Sequence, residues 1–151
     1  LQDCDAVFVA VGGRGLISGI AGYMKSKLSN IEIIGCQPEA SAVMAHSIES
    51  GRIVEVKSGP TLSDGTAGGI EKDAITFDLC KYLVDYYALI SEQEIIENIQ
   101  TFLDTHRMLI EGAAGVALAG FLANKEKYVG KKVVVVVCGG NIARKTLASI
   151  I

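Results

Sequence analysis

Nothing in this chain is long and apolar enough to span a bilayer. Apolar runs such as Val133 to Cys138 have the length of a buried strand, far short of the ~20 residues that a membrane helix needs. Excess basic charge is missing too: the formal net charge of −3 offers no positive field to nucleic acid or to an anionic membrane. The opening Leu1-Gln2-Asp3-Cys4-Asp5 is too polar for a secretion signal. Cys4, Cys36, Cys80 and Cys138 stand far apart, with no C-x-x-C pair and no histidine at metal-ligand spacing. Reduced thiols in a cytoplasmic protein are therefore expected. Charged residues are scarce at 21% while apolar ones make up 50%, a balance that excludes disorder. Internal repeats and low-complexity tracts are absent.

What remains is a compact, well-buried fold. At 151 residues the chain has the size of a single domain with a real core. Its most informative stretch is Ala6-Val7-Phe8-Val9-Ala10-Val11-Gly12-Gly13-Arg14-Gly15-Leu16. An apolar run rich in branched and aromatic residues breaks into glycines, then resumes at helical spacing through Ile17, Ile20, Ala21 and Met24. That order predicts a buried strand, a tight turn and a helix N-terminus. Such a junction aims unpaired N–H groups at one spot, backed by the positive end of the helix dipole. A phosphate fits there.

Strand and helix alternate along the rest of the chain. After the strand Ala6–Val11, a helix is predicted over Leu16–Leu28, with Leu16, Ile20, Ala21, Met24 and Leu28 on its apolar face. Ile31–Cys36 reads as a second strand. Pro38 suits the first turn of a helix that runs to about Ser50 and stops at Gly51. Ile53–Val56 reads as a short strand, and Lys57–Gly69 as a glycine-rich loop. Asp73 is placed to cap a helix through Val84, followed by a strand at Tyr86–Ile90. Ser91-Glu92-Gln93-Glu94 is a capping-box pattern, opening a helix with Ile95, Ile96, Ile99, Phe102 and Leu103 towards the core. Ala113–Ala123 is a small-residue helix suited to close packing. Lys132–Cys138 is a strand that ends in Gly139-Gly140-Asn141 before a last helix. The all-apolar Val133–Val137 needs cover on both faces and predicts a central, parallel strand. The expected fold is α/β, a three-layer open, mostly parallel sheet with helices on both faces.

Two strands thus end in glycine-rich turns, at Val11 and at Cys138, which suggests two walls of one site at the carboxyl ends of the strands. The plainer reading of Gly139-Gly140 is a simple chain reversal. A dinucleotide fingerprint is only approximated: in Gly13-Arg14-Gly15-Leu16-Ile17-Ser18-Gly19 the last glycine falls one position late. Glu39 beyond the next strand is at a tolerable distance for a ribose contact, so a nucleotide-binding oxidoreductase domain stays open. A P-loop is excluded, because no G-x-x-x-x-G-K-[ST] occurs.

Val11-Gly12-Gly13-Arg14-Gly15-Leu16-Ile17-Ser18-Gly19-Ile20-Ala21 resembles the tetraglycine phosphate loop of the pyridoxal-phosphate-dependent serine/threonine dehydratases and serine racemases. Other resemblances follow in family order. Gly35-Cys36-Gln37-Pro38-Glu39 is similar to the G-x-E-P segment, and Ser63-Asp64-Gly65-Thr66-Ala67 to the A-D-G loop. Glu111-Gly112-Ala113-Ala114-Gly115 is similar to the E-x-[AS]-[GA]-A-G helix entry, and Cys138-Gly139-Gly140-Asn141 to the strand end beside the pyridine ring.

The resemblance implies pyridoxal 5'-phosphate as cofactor. Its phosphate would lie on the amides of Gly12, Gly13, Arg14, Gly15 and Leu16, and its ring nitrogen opposite Cys138. The implied reaction is β-elimination of water from a hydroxy amino acid, giving a 2-keto acid and ammonia. The small-molecule substrate would be an amino acid, with no nucleic acid or membrane partner and a homo-oligomer as the intact enzyme. Glu111 is placed near the cofactor, or is simply a helix-entry carboxylate favoured by the dipole.

Three departures stand out. Arg14 replaces a glycine of the loop; it is strained if that position needs φ > 0, or else its guanidinium adds a charge-assisted contact to phosphate. The family's divalent-cation positions fall on Gln37 and Val43, neither an anionic ligand, so no metal is expected there. The Schiff-base lysine, in an S-x-K motif, and the loop that grips the substrate carboxylate have no counterpart here. Lys25 and Lys27 read as surface residues of the helix after the loop, and His46 and His106 as ordinary helix residues. No catalytic residue is therefore assigned to this chain. Residues 1–151 are expected to be a single domain, the carboxy-terminal portion of a dehydratase catalytic region and silent alone. The alternative outside enzymes is a non-catalytic domain that binds a phosphorylated metabolite.

Overall fold

Every residue of β1 (Ala6–Ala10) is buried, because the strand runs through the interior of a sheet covered on both faces. The computed structural model describes residues 3–151; Leu1 and Gln2 of the polar opening lie outside the described residues. β1 pairs in parallel with β2 (Glu32–Pro38) on one side and with β4 (Val133–Val135) on the other. β2 pairs in parallel with β3 (Tyr86–Ile90), so the order across the sheet is β3-β2-β1-β4.

Alternate side chains of the strands feed two cores. Phe8, Ile34, Cys36, Ala88 and Ile90 point to one face, against Ile95 and Ile99 of α4 (Glu92–His106), Ala114, Val116 and Ala119 of α5 (Gly112–Asn124) and Ile150 of α6 (Arg144–Ile150). Val7, Val9, Val11 and Ile33 point to the other. There they meet Ile17, Ala21 and Met24 of α1 (Gly15–Lys27), Met44 of α2 (Val43–Glu49), and Phe77 and Cys80 of α3 (Ile75–Leu83). The fold is the expected three-layer α/β arrangement. The chain steps from β1 outward to β2 and β3, then returns past α4 and α5 to set β4 on the far side of β1. Between β1 and β4 the direction of winding reverses, which opens a crevice at their carboxyl ends. Among the described residues no helix is long and apolar enough to cross a membrane.

Local rules hold where they are self-contained. The capping box at α4 forms as read: Ser91 N–H donates to Glu94 Oε2 at 2.9 Å and Glu94 N–H donates to Ser91 Oγ at 3.3 Å. α5 sinks almost its whole surface, and its glycines let it approach. A Cβ on Gly115 would stand 2.8 Å from Ile99 Cγ1, and one on Gly120 only 2.4 Å from Cys36 Sγ.

Several expectations need correction. β4 is an edge strand of the described sheet, not a central one, and Val137 is 48% exposed. Its apolar character has another cause: Val134 and Val136 pack with the α1 side and Val135 with the α5 side. Cover on both faces does not require a neighbour on both edges. Ile53–Val56 forms no strand; with no partner strand beside it, Val54 N–H donates to Ser47 Oγ instead. Pro38 ends β2 rather than opening a helix, and a 3₁₀ turn over Glu39–Ser41 intervenes before α2. Asp73 does not cap α3: it sits at φ 61°, Ala74 takes the cap position, and no side chain bonds there. On α1, Ile20, Ala21, Met24 and Leu28 face the core as expected and Ile17 joins them, but Leu16 is 46% exposed and does not.

Gly120→Ala should destabilise the chain by about 1–2 kcal/mol, since overpacking against Cys36 outweighs the gain in helix propensity. Adding Cys36→Ala should recover most of that loss, as read by thermal or denaturant unfolding of the single and double variants.

Candidate functional site

The loop after β1 is built to leave its amides free. Val11 N–H donates to Cys36 O at 2.9 Å, the last backbone rung of that edge, and the first helical bond of α1 is Ser18 N–H to Arg14 O at 3.0 Å. In between, the amides of Gly12, Gly13, Arg14, Gly15 and Leu16 donate to no protein acceptor among the described residues. They sit at the N-terminus of a 13-residue helix, where the dipole favours an anion. A Cβ on Gly13 or Gly15 would meet nothing within 4 Å, so the space above these two residues is open for a ligand.

Gly12 has the opposite role. A Cβ there would lie 2.8 Å from Gly65 O and 2.8 Å from Thr66 Cα. The missing side chain lets the loop after β1 touch the loop at Ser63–Thr66. That second loop is locked internally: Ser63 and Thr66 hydroxyls pair at 2.6 Å, and Thr66 N–H donates to Ser63 O at 2.9 Å.

Arg14 settles the question that its sequence position raises. Its φ is 66°, so the position does require the left-handed region. Its Nη1 donates to Gly69 O at 3.1 Å, and its Nε is buried without a hydrogen-bond partner. The guanidinium thus straps the second loop to the first.

The other wall of the crevice comes from the chain after β4 and from the entry to α5. Glu111 N–H donates to Gly139 O at 3.1 Å, while its carboxylate Oε2 accepts from Asn141 N–H at 3.0 Å. A Cβ on Gly139 would fall 2.2 Å from Glu111 Cδ, so the carboxylate lies flat on the glycine. Glu111 occupies the N-cap position of α5 but makes no cap bond with its side chain; its carboxylate holds the Gly139–Asn141 turn. Beside it Cys138 is exposed. Partial burial of its sulfur, with the Glu111 charge adding to the effect, pushes the thiol above its ordinary pKa.

These parts enclose a cleft of about 350 Å³, lined by Gly12, Gly13, Arg14, Gly15, Leu16, Gly65, Thr66, Glu111 and Cys138, with Ala10 and Ala113 at its floor. All of the residues proposed from sequence for the cofactor come together here. Leu16 is exposed because it lies at the cleft, which explains its departure from the core face of α1. Glu39, the candidate ribose contact of a dinucleotide site, is not on the lining. Lys25 lies away from it, paired with Asp85 at 2.8 Å. His46 approaches Glu49 at 3.9 Å, and His106 stacks on Phe102 at 4.4 Å between ring centroids. Thr66 and Ala113 lie within the segments that resemble the A-D-G loop and the helix entry, and the tight fit over Gly12 is what brings Thr66 in. Free amides, an open cradle over two glycines and a neutral thiol at the opposite wall fit a phosphorylated aromatic ligand such as pyridoxal phosphate.

Comparison with known proteins points the same way. A family profile described as pyridoxal-phosphate dependent enzyme matches residues 1–139. The chain is 41% identical to an L-threonine ammonia-lyase of Thermotoga maritima over 94% of its own length and 35% of that protein's. It is 37% identical to the catabolic L-threonine dehydratase of Escherichia coli over 94% of its length and 44% of that protein's. Among solved structures, the processed form of threonine deaminase isoform 2 from Solanum lycopersicum superposes with a TM-score of 0.92 at 33% identity. That match covers 99% of this chain and 44% of the other. A serine racemase from Dictyostelium discoideum gives a TM-score of 0.85 at 29% identity, covering 95% of this chain and 46% of the other. The chain therefore spans less than half the length of these relatives.

Arg14→Ala keeps the left-handed backbone and loses the strap, whereas Arg14→Gly removes the backbone cost. The glycine variant should be more stable than the alanine variant by about 1 kcal/mol, as measured by thermal unfolding of the pair.

Proposed function

The chain belongs to the pyridoxal-phosphate-dependent enzyme family, and on that premise we propose that it forms the phosphate-binding and ring-nitrogen side of an ammonia-lyase acting on threonine or serine. The observation that carries this reading is the cluster of unpaired amides from Gly12 to Leu16 across a cleft from Cys138. The names of its relatives supply the substrate class.

When bound, pyridoxal phosphate supplies an electron sink conjugated to the substrate α-carbon. The amides of Gly12, Gly13, Arg14, Gly15 and Leu16 would hold its phosphate with backbone donors alone. Gly65 and Thr66 wall that side of the cleft. Cys138 would face the pyridine nitrogen as a neutral thiol, because partial burial and the neighbouring Glu111 carboxylate disfavour its thiolate. A neutral thiol, unlike an aspartate, holds no extra proton at that nitrogen, a setting that suits elimination of a β-hydroxyl over transamination. Glu111 positions the turn that carries Cys138, through Gly139 O and Asn141 N–H.

The lysine that bonds the cofactor and the loop that grips the substrate carboxylate would belong to the remainder of a longer protein. The chain alone is then a single cofactor-binding domain without turnover, the carboxy-terminal portion of the catalytic region. Four free cysteines, three of them buried, suit a reducing compartment such as the cytoplasm. The exposed side chains Ile75, Leu79 and Tyr82 on α3 favour a homo-oligomer for the intact enzyme.

Alkylation tests the reading directly. Cys4, Cys36 and Cys80 are buried, and burial pushes the Cys36 thiol up to about 12. Cys138 should therefore be the thiol that iodoacetamide modifies in the native protein, identified by peptide mass. Pyridoxal phosphate should slow that modification markedly, and inorganic phosphate, which fills only the loop, should slow it less. Equal rates with and without pyridoxal phosphate would overturn the assignment.

A further inference from the structure

The ladder between β1 and β2 has a missing rung at the point where it matters most. Along this parallel pair Glu32 N–H donates to Asp5 O, and the β2 donors recur every second residue against every second β1 carbonyl. Continued to the end of the strands, that pattern calls on the N–H of residue 38 to donate to Val11 O. Residue 38 is proline, which has no N–H. Val11 is the residue immediately before Gly12, so an unsatisfied carbonyl there would loosen the root of the anion-binding loop.

The side chain next to the proline fills the gap. Gln37 is 3% exposed; its Nε2 donates to Val11 O at 3.2 Å and lies 3.5 Å from Ser41 O. Its Oε1 accepts from Ala45 N–H at 2.9 Å. All of its amide's polar atoms are thus engaged by backbone groups of three separate segments: the end of β1, the 3₁₀ turn and the start of α2. Ser41 carries the connection further, pairing its hydroxyl with Ser58 at 2.8 Å and accepting from Gly68 N–H at 3.4 Å. Gly68 adjoins Gly69, whose carbonyl receives Arg14.

We infer that Gln37 is a positioning residue for the anion-binding loop: its carboxamide stands in for the N–H that Pro38 lacks and fixes the Val11 carbonyl from which the loop departs. It touches no ligand and acts through Val11. The consequence for cofactor affinity rests on the function proposed above; the consequence for the loop backbone does not.

The test is a rescue, carried out in the protein as its complete coding sequence specifies it. Gln37→Met keeps the unbranched shape and removes both the donor and the acceptor. Binding of pyridoxal phosphate should weaken about tenfold, and hydrogen exchange of the peptide spanning residues 12–16 should quicken. Adding Pro38→Ala returns a backbone N–H to the position that faces Val11 O, at a φ of −65° that alanine adopts freely. The double variant should regain most of the affinity and of the exchange protection, while Pro38→Ala alone stays close to wild type. A role in packing alone would leave Pro38→Ala without effect on the Gln37→Met defect, and that result overturns the inference. So does unchanged exchange at residues 12–16 in Gln37→Met. If the unmodified protein fails to bind pyridoxal phosphate, the functional reading falls, and the exchange experiment still decides the role of Gln37. A Gln37→Met chain that unfolds and is refolded by Pro38→Ala supports the inference; one that stays unfolded overturns it.

Discussion

The contact between Gly12 and the backbone of Gly65 and Thr66 is the constraint on which the rest of the site depends. A single Cβ at residue 12 would stand 2.8 Å from two backbone atoms of the facing loop, closer than real side chains come. Because the atom is absent, the loop after β1 and the loop before α3 meet without a side chain between them. The free amides of the first and the hydroxyl-braced turn of the second then face one cleft. Arg14 adds a second tie through Gly69 O, bought at the cost of a left-handed arginine. Gln37 secures the same loop from beneath.

Electrostatics follow from this geometry rather than from net charge. The chain is acidic overall, at −3, yet one wall of the cleft is lined by free amides and a helix N-terminus. The carboxylate in the lining, Glu111, is committed to Asn141 N–H and Gly139 on the opposite wall. Beside it, burial and the Glu111 charge push the Cys138 thiol above its ordinary pKa.

Much of this was legible before any coordinates, for reasons that differ by element. The glycine loop after β1 is legible because strand, glycine turn and helix start are contiguous, so the free amides are a local consequence of local sequence. The α4 capping box was legible on the same ground: Ser91 and Glu94 need only each other. Ile53–Val56 was misread because strand propensity has no force without a neighbouring strand. Leu16 departs from the core face because periodicity alone cannot distinguish a core from the wall of a cleft, and Val133–Val137 lies at an edge because cover on two faces does not imply pairing on two edges. Gln37 reads in sequence only as a cation position without an anionic ligand; its structural part depends on a rung that Pro38 fails to make with a strand some 26 residues away.

What the sequence by itself determined is the alternation of strands and helices, the three-layer α/β class and the glycine turn with free amides at a helix start. Each follows from hydrophobic period and backbone chemistry within a few neighbouring residues. What only the tertiary structure decided is that the turns after β1 and β4 share one cleft, that Glu111 serves the Gly139 turn instead of its own helix, and that Gln37 completes a strand ladder. Those outcomes depend on the reversal of winding between β1 and β4 and on approaches of a few ångströms between segments far apart in the chain. Pairings of that kind are set by packing of the whole fold, and no local pattern encodes them.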